Sequence, residues 1–273
     1  MIKLYKTLII ALLSLLGFIE LTLAETQSVK YKNYTITFET NTERPWSKLI
    51  VTRGKAKLVE ISGVISMLNG YELQKIDNVN SIHSPLLIIN NFTGGANCCF
   101  ETAIIKLEDK FKLDNIDGGK DSVQVKTLAN GNFLEITLRD WTYAYRWTSG
   151  AASPAPPVML RDSNGKYEPY VKSMRKNKLT KIELTKAINK IKSTNYVGFK
   201  YAGETIVAEN EQYFALALKI MLNLTYSGNY PQAIYVLDQT WPGDVASKRA
   251  FIKDFNKVIN ESPYAKVVKE LNK

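Results

Sequence analysis

The sequence predicts an α+β protein: an N-terminal antiparallel β domain, sandwich or propeller-blade-like, followed by a C-terminal helical domain. Three observations predict it. From Glu25 to about Lys172, short alternating apolar runs are separated by turn dipeptides rather than by helical crossovers. After Lys172 the apolar period lengthens to that of a helix. Over 273 residues, 45% hydrophobic and 23% charged content supplies a sizeable core and excludes disordered or collagen-like chains. The expected organisation is a signal peptide at 1–24, a β domain at 25–172 and a helical domain at 173–273.

Lys3 and Lys6 form a basic start, Leu8–Ile19 is an uncharged apolar run, and Thr22-Leu23-Ala24 offers small residues for cleavage. The run is shorter than the roughly 18 residues a spanning helix needs, so it reads as an export signal. No Cys stands at the cleavage site, as a lipoprotein would require, and no later run is long enough to anchor the chain. An exported protein, periplasmic or secreted, is therefore expected. Strands are expected at Tyr34–Phe38, at Lys48–Thr52 and Lys55–Ile61 flanking Arg53-Gly54, and at Leu86–Ile89, Phe100–Leu107 and Phe111–Ile116. Phe133–Leu138, Trp141–Trp147 and Val158–Arg161 complete the set, with turns at Gly94-Gly95, Gly118-Gly119, Asn130-Gly131 and Asn164-Gly165. Residues 62–79 read as loop or short helix.

The helical part opens on Thr180-Lys-Ile-Glu183, a capping box, with Ile182, Ala187, Ile188 and Ile191 as its apolar stripe. Glu209–Tyr226 is the next helix and stops at Ser227-Gly228-Asn229. Pro231 opens Gln232–Gln239, which ends at Trp241-Pro242-Gly243. Asp244 caps Val245–Ile259, and Ser262-Pro263 starts a last short helix. Tyr213–Tyr226 with Pro231–Gln239 has the look of one tetratricopeptide hairpin. A single unit makes no array, so a small bundle packed on the β domain is the expectation.

The net charge is +10, yet only seven of the 36 basic residues are Arg. Fork-shaped Arg is favoured for base and phosphate recognition, and no basic cluster is interleaved with aromatics. Nucleic acid is therefore not an expected partner, whereas attraction to an anionic envelope surface stays open. His83, the single histidine, would have to serve any Ser-His-Asp or Cys-His constellation. No nucleophile elbow, phosphate loop, dinucleotide fingerprint or His-Glu zinc motif accompanies it, so it reads as an ordinary polar residue. Asp114, Asp117, Asp121, Glu135, Asp140 and Asp162 could supply the carboxylate pair of a hydrolase, but their spacing does not show a pair and lacks a calcium-loop pattern. No cofactor or metal is expected.

Two features stand out. The two cysteines are adjacent, in Phe92-Thr-Gly-Gly-Ala-Asn-Cys98-Cys99. Three readings remain open: a vicinal disulfide acting as a rigid turn, a redox switch, or two buried thiols. A disulfide requires the pair to sit in the turn after Gly94 and Gly95, with a distorted or cis peptide. The second feature is Asp140-Trp-Thr-Tyr-Ala-Tyr-Arg-Trp147. As a strand it would place Trp141, Tyr143, Tyr145 and Trp147 on one face, either as sheet core or as a stacking platform for sugar or peptide. Core is the expectation, with Trp141 and Tyr143 or Tyr145 buried; the weaker binding candidates are these four aromatics with Asp140.

Phe92-Thr-Gly-Gly-Ala-Asn-Cys-Cys99, Asp140-Trp-Thr-Tyr-Ala-Tyr145 with Ser153-Pro-Ala-Pro156, and Leu224-Thr-Tyr-Ser-Gly-Asn229 followed by Trp241-Pro242 together resemble a family of uncharacterised exported bacterial proteins with a Gly-Gly-x-x-Cys-Cys motif. The β part is also similar to propeller blades of the FG-GAP and VCBS kind. The calcium-holding turn of such blades corresponds here to Leu128–Asn132, which has no carboxylate. The resemblance implies export and a binding role, and it supplies no reaction. The expected function is thus non-enzymatic binding of a partner protein or envelope component. A carboxylate-based envelope hydrolase is the alternative, and a thiol-redox protein the third.

Overall fold

A computed structural model describes residues 25–40, 47–67, 86–95, 98–127, 134–163, 166–194, 200–201, 206–207 and 211–273. The expected signal peptide, His83, Asn130-Gly131, Asn164-Gly165 and Leu128–Asn132 lie outside the described residues, as do 68–79. The class is α+β, with antiparallel strands followed by helices. The chain divides into two compact units, one ending at Ile65 and the other beginning at Ser66.

The first unit is an antiparallel meander of β1 (Glu25–Tyr31), β2 (Tyr34–Thr40), β3 (Ser47–Arg53) and β4 (Ala56–Met67). Period-two alternation buries Tyr34 and Ile36 on β2 and Leu49 and Val51 on β3, with Ile36 opposite Val51. Gly54, at φ 57, makes the expected turn between β3 and β4. β4 runs on to Met67, so the expected loop or short helix at 62–67 is strand. Ser62 and Gly63 pair with Lys48 and Ser47, and that ladder carries the chain past the end of the expected run.

In the second unit β5 (Leu86–Phe92), β6 (Phe100–Leu107) and β7 (Phe111–Gly119) pair antiparallel in sequence order. β8 (Gln124–Thr127), β9 (Leu134–Arg139), β10 (Pro157–Ser163) and β11 (Lys166–Pro169) form a second antiparallel set. Two cross-links tie the sets. Lys106 on β6 pairs with Asp162 on β10 at 2.9 Å, and Tyr167 on β11 donates to Asp114 on β7 at 3.2 Å. A two-residue pair, β12 (Lys200–Tyr201) with β13 (Ile206–Val207), lies among the helices.

The helices are α1 (Val171–Met174), α2 (Lys181–Lys192), α3 (Gln212–Tyr226), α4 (Tyr230–Thr240), α5 (Val245–Glu261) and α6 (Ala265–Leu271). Their punctuation matches the sequence. Thr180 and Glu183 form the reciprocal capping box, and Asp244 accepts from the Ser247 amide at 2.6 Å. Gly228, at φ 83, ends α3 and lets Asn229 N–H return to Leu224 O at 2.8 Å. The stripe of α2 differs from expectation: Ile182 is 69% exposed, and the residues packed on the core are Leu184, Ile188 and Ile191, with Ala187 half-buried. Ile182 sits about 200° round the helix from Leu184, on the solvent side.

The boundary at 172 separates strand-rich from helix-rich sequence but not two cores. Ile104, Ile136, Val158 and Leu160 belong to one buried cluster with Ile191, Leu218, Met221, Val236 and Phe255. A larger correction concerns Trp141–Trp147, which is no strand. Asp140 accepts from the Thr142 amide, Trp141–Tyr143 forms one turn of 3₁₀ helix, and turns continue to 146. An Asp that bonds the backbone two residues on offers the chain a turn in place of a ladder. The rings therefore segregate at a spacing of four. Tyr143 and Trp147 are buried, whereas Trp141 is half-buried and Tyr145 is 57% exposed.

Candidate functional site

Cross-strand register places Gln124, Thr137 and Met159 in one row over β8, β9 and β10, with Arg139 opposite Pro157 beside it. Facing residues of α3 recur at helical spacing: Leu216, Lys219, Ile220 and Asn223. Between them, and closed on a third side by Pro154–Pro157, lies a cleft of about 1010 Å³. That volume stands at the upper end of small-molecule sites.

The cleft combines an apolar body with cationic edges. Met159, Leu216, Ile220 and the prolines supply the first; Lys176 and Lys219 supply the second. Neither lysine has an ion-pair partner among the described residues. Arg139, by contrast, is engaged by Asp121 at 3.1 Å and donates to Ala155 O at 3.1 Å. Asp121 is the one carboxylate among the described lining residues. The other carboxylates singled out in the sequence have local partners. Asp114 and Asp162 cross-link the strand sets, Asp117 accepts from Gly119 N–H at 2.8 Å, and Glu135 accepts from Ser173. No two of them face each other across this cleft.

At its mouth, Trp141 lies against Gly118-Gly119 and donates from Nε1 to Gly118 O at 3.2 Å. A Cβ on Gly119, which has φ 66, would stand 2.7 Å from Trp141 Cδ1, so this approach needs glycine. Lys120 Nζ lies 5.3 Å from the Trp141 ring centre and 4.2 Å from that of Tyr145. It is buried without a hydrogen-bond partner among the described residues, so the two rings are its cation–π support. Tyr145 holds φ 61, sparsely populated for an aromatic residue. Its N–H donates to Ser153 Oγ at 2.9 Å, and its ring lies so close to Gly150 that a Cβ there would be 2.3 Å away.

Behind this mouth is a buried polar network. Asp140, 2% exposed, accepts from Thr142 N–H at 3.0 Å and Thr142 Oγ1 at 2.6 Å with one oxygen. Its other oxygen accepts from Tyr226 and Ser262. Tyr143 and Tyr226 hydroxyls lie 3.0 Å apart. Burial, with the neighbouring negative charge of Asp140, pushes both phenols well above the ordinary tyrosine range. The network fastens the end of β9 to the end of α3 and to the segment after α5, so Asp140 is held inside the protein.

Cys98 and Cys99 are bonded to each other, with Cα atoms 3.7 Å apart. They lie in the β5–β6 turn, as a disulfide requires, and follow Gly94 (φ 98) and Gly95 (φ 129). No peptide bond among the described residues is cis, and Cys99 itself takes φ 86. Cys99 O accepts from Thr93 N–H at 2.9 Å and Thr93 Oγ1 at 3.2 Å, closing the turn. Neither cysteine lines the cleft.

Of the sequence candidates, the structure thus puts Trp141 at the cleft, Tyr145 on the surface beside it, Asp140 in the network behind it, and Tyr143 and Trp147 in the core. Trp147 packs on Phe251 and Phe255, with ring centres 5.4 and 6.2 Å apart. Sequence reasoning missed Lys120, Lys176 and Lys219. For the last a signal existed, because Lys219 is the single charged residue of α3. Comparison with protein-family models, curated proteins and solved structures gives no match to this chain.

Proposed function

We propose that this chain is an exported binding protein whose cleft between β8–β10 and α3 holds a partly apolar, acidic component of the cell envelope. One observation carries the reading. A cleft of about 1010 Å³ has apolar walls and presents Lys176 and Lys219, each without an ionic partner among the described residues. Exposed ammonium groups beside apolar surface favour a ligand that offers both a carboxylate or phosphate and a body to bury. Catalysis by paired carboxylates draws no support from a cleft whose described lining holds Asp121 alone, already paired with Arg139.

The test is native mass spectrometry of the protein purified from the exporting cell, beside two variants. Lys219→Glu reverses a charge lining the cleft, and Leu216→Trp narrows it. A bound small molecule present on the wild type and lost from both variants supports the reading. A wild type that carries nothing, and that takes up neither a fatty acid nor an acidic peptide in titration, overturns it. The thiol-redox alternative has its own supporting observation, the Cys98–Cys99 bond in a partly exposed turn. It stands apart from the cleft, which neither cysteine lines.

A further inference from the structure

Residues 170–182 contain five cations in a short span, Lys172, Arg175, Lys176, Lys178 and Lys181, and no acidic residue. All five are exposed, and none has an ion-pair partner among the described residues. Clustered like charges repel, and a loose segment would spread them apart. This one is held. Lys176 N–H donates to Ser227 O at 3.0 Å, and the buried Asn229 donates from Nδ2 to Lys176 O at 3.1 Å. Gln232 then brackets Leu179 from both sides, accepting from its N–H at 2.9 Å and donating to its O at 2.8 Å. Met174, 2% exposed, pins the segment to the core. Beside the strip is a groove of about 660 Å³, where Pro169, Tyr170 and Val171 meet Lys172, Arg175 and Lys176.

We propose that this strip docks the protein on an anionic lipid surface. Four of the five cations are lysines, compact point charges suited to the diffuse charge of headgroups. A site for a defined phosphate would use the guanidinium fork, and here there is one arginine. The adjoining Tyr170 and Val171 give the groove an apolar side, and an aromatic ring with a polar tip suits a membrane interface. Lys176 borders both this groove and the cleft, so docking would bring the cleft to the surface from which an envelope component would enter. The strip does not depend on the cleft being occupied.

The experiment is sedimentation of the purified chain with phosphatidylcholine vesicles and with vesicles containing 30% phosphatidylglycerol. The neutral vesicles serve as the blank for any binding through the apolar N-terminal run. At about 1 kcal/mol per basic residue near an anionic surface, Lys172→Gln with Lys178→Gln should weaken binding to the anionic vesicles about thirtyfold. Neutralising Lys55 and Lys110, exposed residues outside the strip, should change it less than threefold. Raising the salt to about 0.5 M should release the wild type. Equal loss in both double variants would overturn the proposal in favour of general net charge. Equal binding to both vesicle types would overturn it outright. Capture by soluble polyphosphate, without binding to anionic vesicles, would replace the membrane with an anionic polymer. Urea midpoints matching the wild type keep misfolding from imitating the result.

Discussion

Asp140 offers the sharpest test of how this molecule is held together. It is a buried carboxylate with four donors converging on it, two from Thr142 and one each from Tyr226 and Ser262. In Asp140→Ala the two Thr142 donors are only part-buried, so water replaces their acceptor at little expense. The Tyr226 hydroxyl, 2% exposed, can turn to Ser262 Oγ at 3.2 Å, whereas the Ser262 hydroxyl, 5% exposed, loses its acceptor where water has poor access. A buried donor left unsatisfied costs roughly 1–3 kcal/mol, so this one gives about 2 kcal/mol. Asp140→Asn keeps shape and one acceptor and should cost about half as much. Urea unfolding followed by tryptophan fluorescence measures both, with an unchanged m-value confirming two-state loss of stability. An Asp140→Ala protein within about 1 kcal/mol of wild type at equal m would refute the claim that the network is a fastening. A pH signature accompanies it. Burial holds Tyr226 in its neutral form, so its stabilisation is complete below the ordinary tyrosine pKa and is lost as pH rises beyond that value. The stability gap between wild type and Tyr226→Phe should therefore narrow above about pH 10.

Three further outcomes follow from individual contacts. Ser149 donates from N–H and Oγ to Glu211, each at 2.7 Å, and holds its carboxyl below the ordinary value. Glu211→Gln should thus destabilise by roughly 0.5–1 kcal/mol at neutral pH, and the difference should fade as pH falls through the lowered folded value, in acid titrations of stability. Gly119→Ala should cost about 2 kcal/mol and shift tryptophan emission, since its Cβ collides with Trp141 at a φ of 66. The oxidised protein should be about 2 Da lighter than its reduced form and yield no free thiol after denaturation; two titratable thiols would reject the disulfide. A folded Cys98→Ala, Cys99→Ala variant that loses its cellular role while keeping its cleft ligand would favour redox chemistry.

The parts of the fold that were legible are those whose chemistry is local. A capping box, a glycine after a helix, a proline at a helix start and an aspartate before one each satisfy or remove specific backbone groups. Thr180, Gly228, Pro231 and Asp244 therefore mark the helices close to where they lie. The segment 140–147 misled because alternating aromatics imitate a strand, whereas one Asp side chain bonding the backbone two residues on decides for a turn. Ile182 misled for a smaller reason: counting apolar residues without their angles admits one from the wrong face. The cleft was not legible, because it depends on how a strand row meets a helix face distant in sequence. Lys219 was the only local hint of it.

The 140–157 loop joins stability to recognition, and its spacing explains how. Rings four residues apart share a side, so Tyr143 and Trp147 reach the core while Trp141 and Tyr145 stay outside with Lys120. Asp140 opens the loop and is anchored to α3 through Tyr226, which itself lines the cleft. Ser153 holds its middle by accepting from Tyr145 N–H and donating to Ser149 O at 2.8 Å, and Pro154–Pro157 form its cleft wall. Proline restricts φ, so this wall arrives with little backbone freedom left to lose when a ligand binds. An exposed loop would ordinarily be a poor wall for a binding site. Here Tyr143 and Trp147 are core, Asp140 and Ser153 hold the loop by hydrogen bonds, and Pro154 and Pro156 are themselves buried, so the wall is anchored along its length.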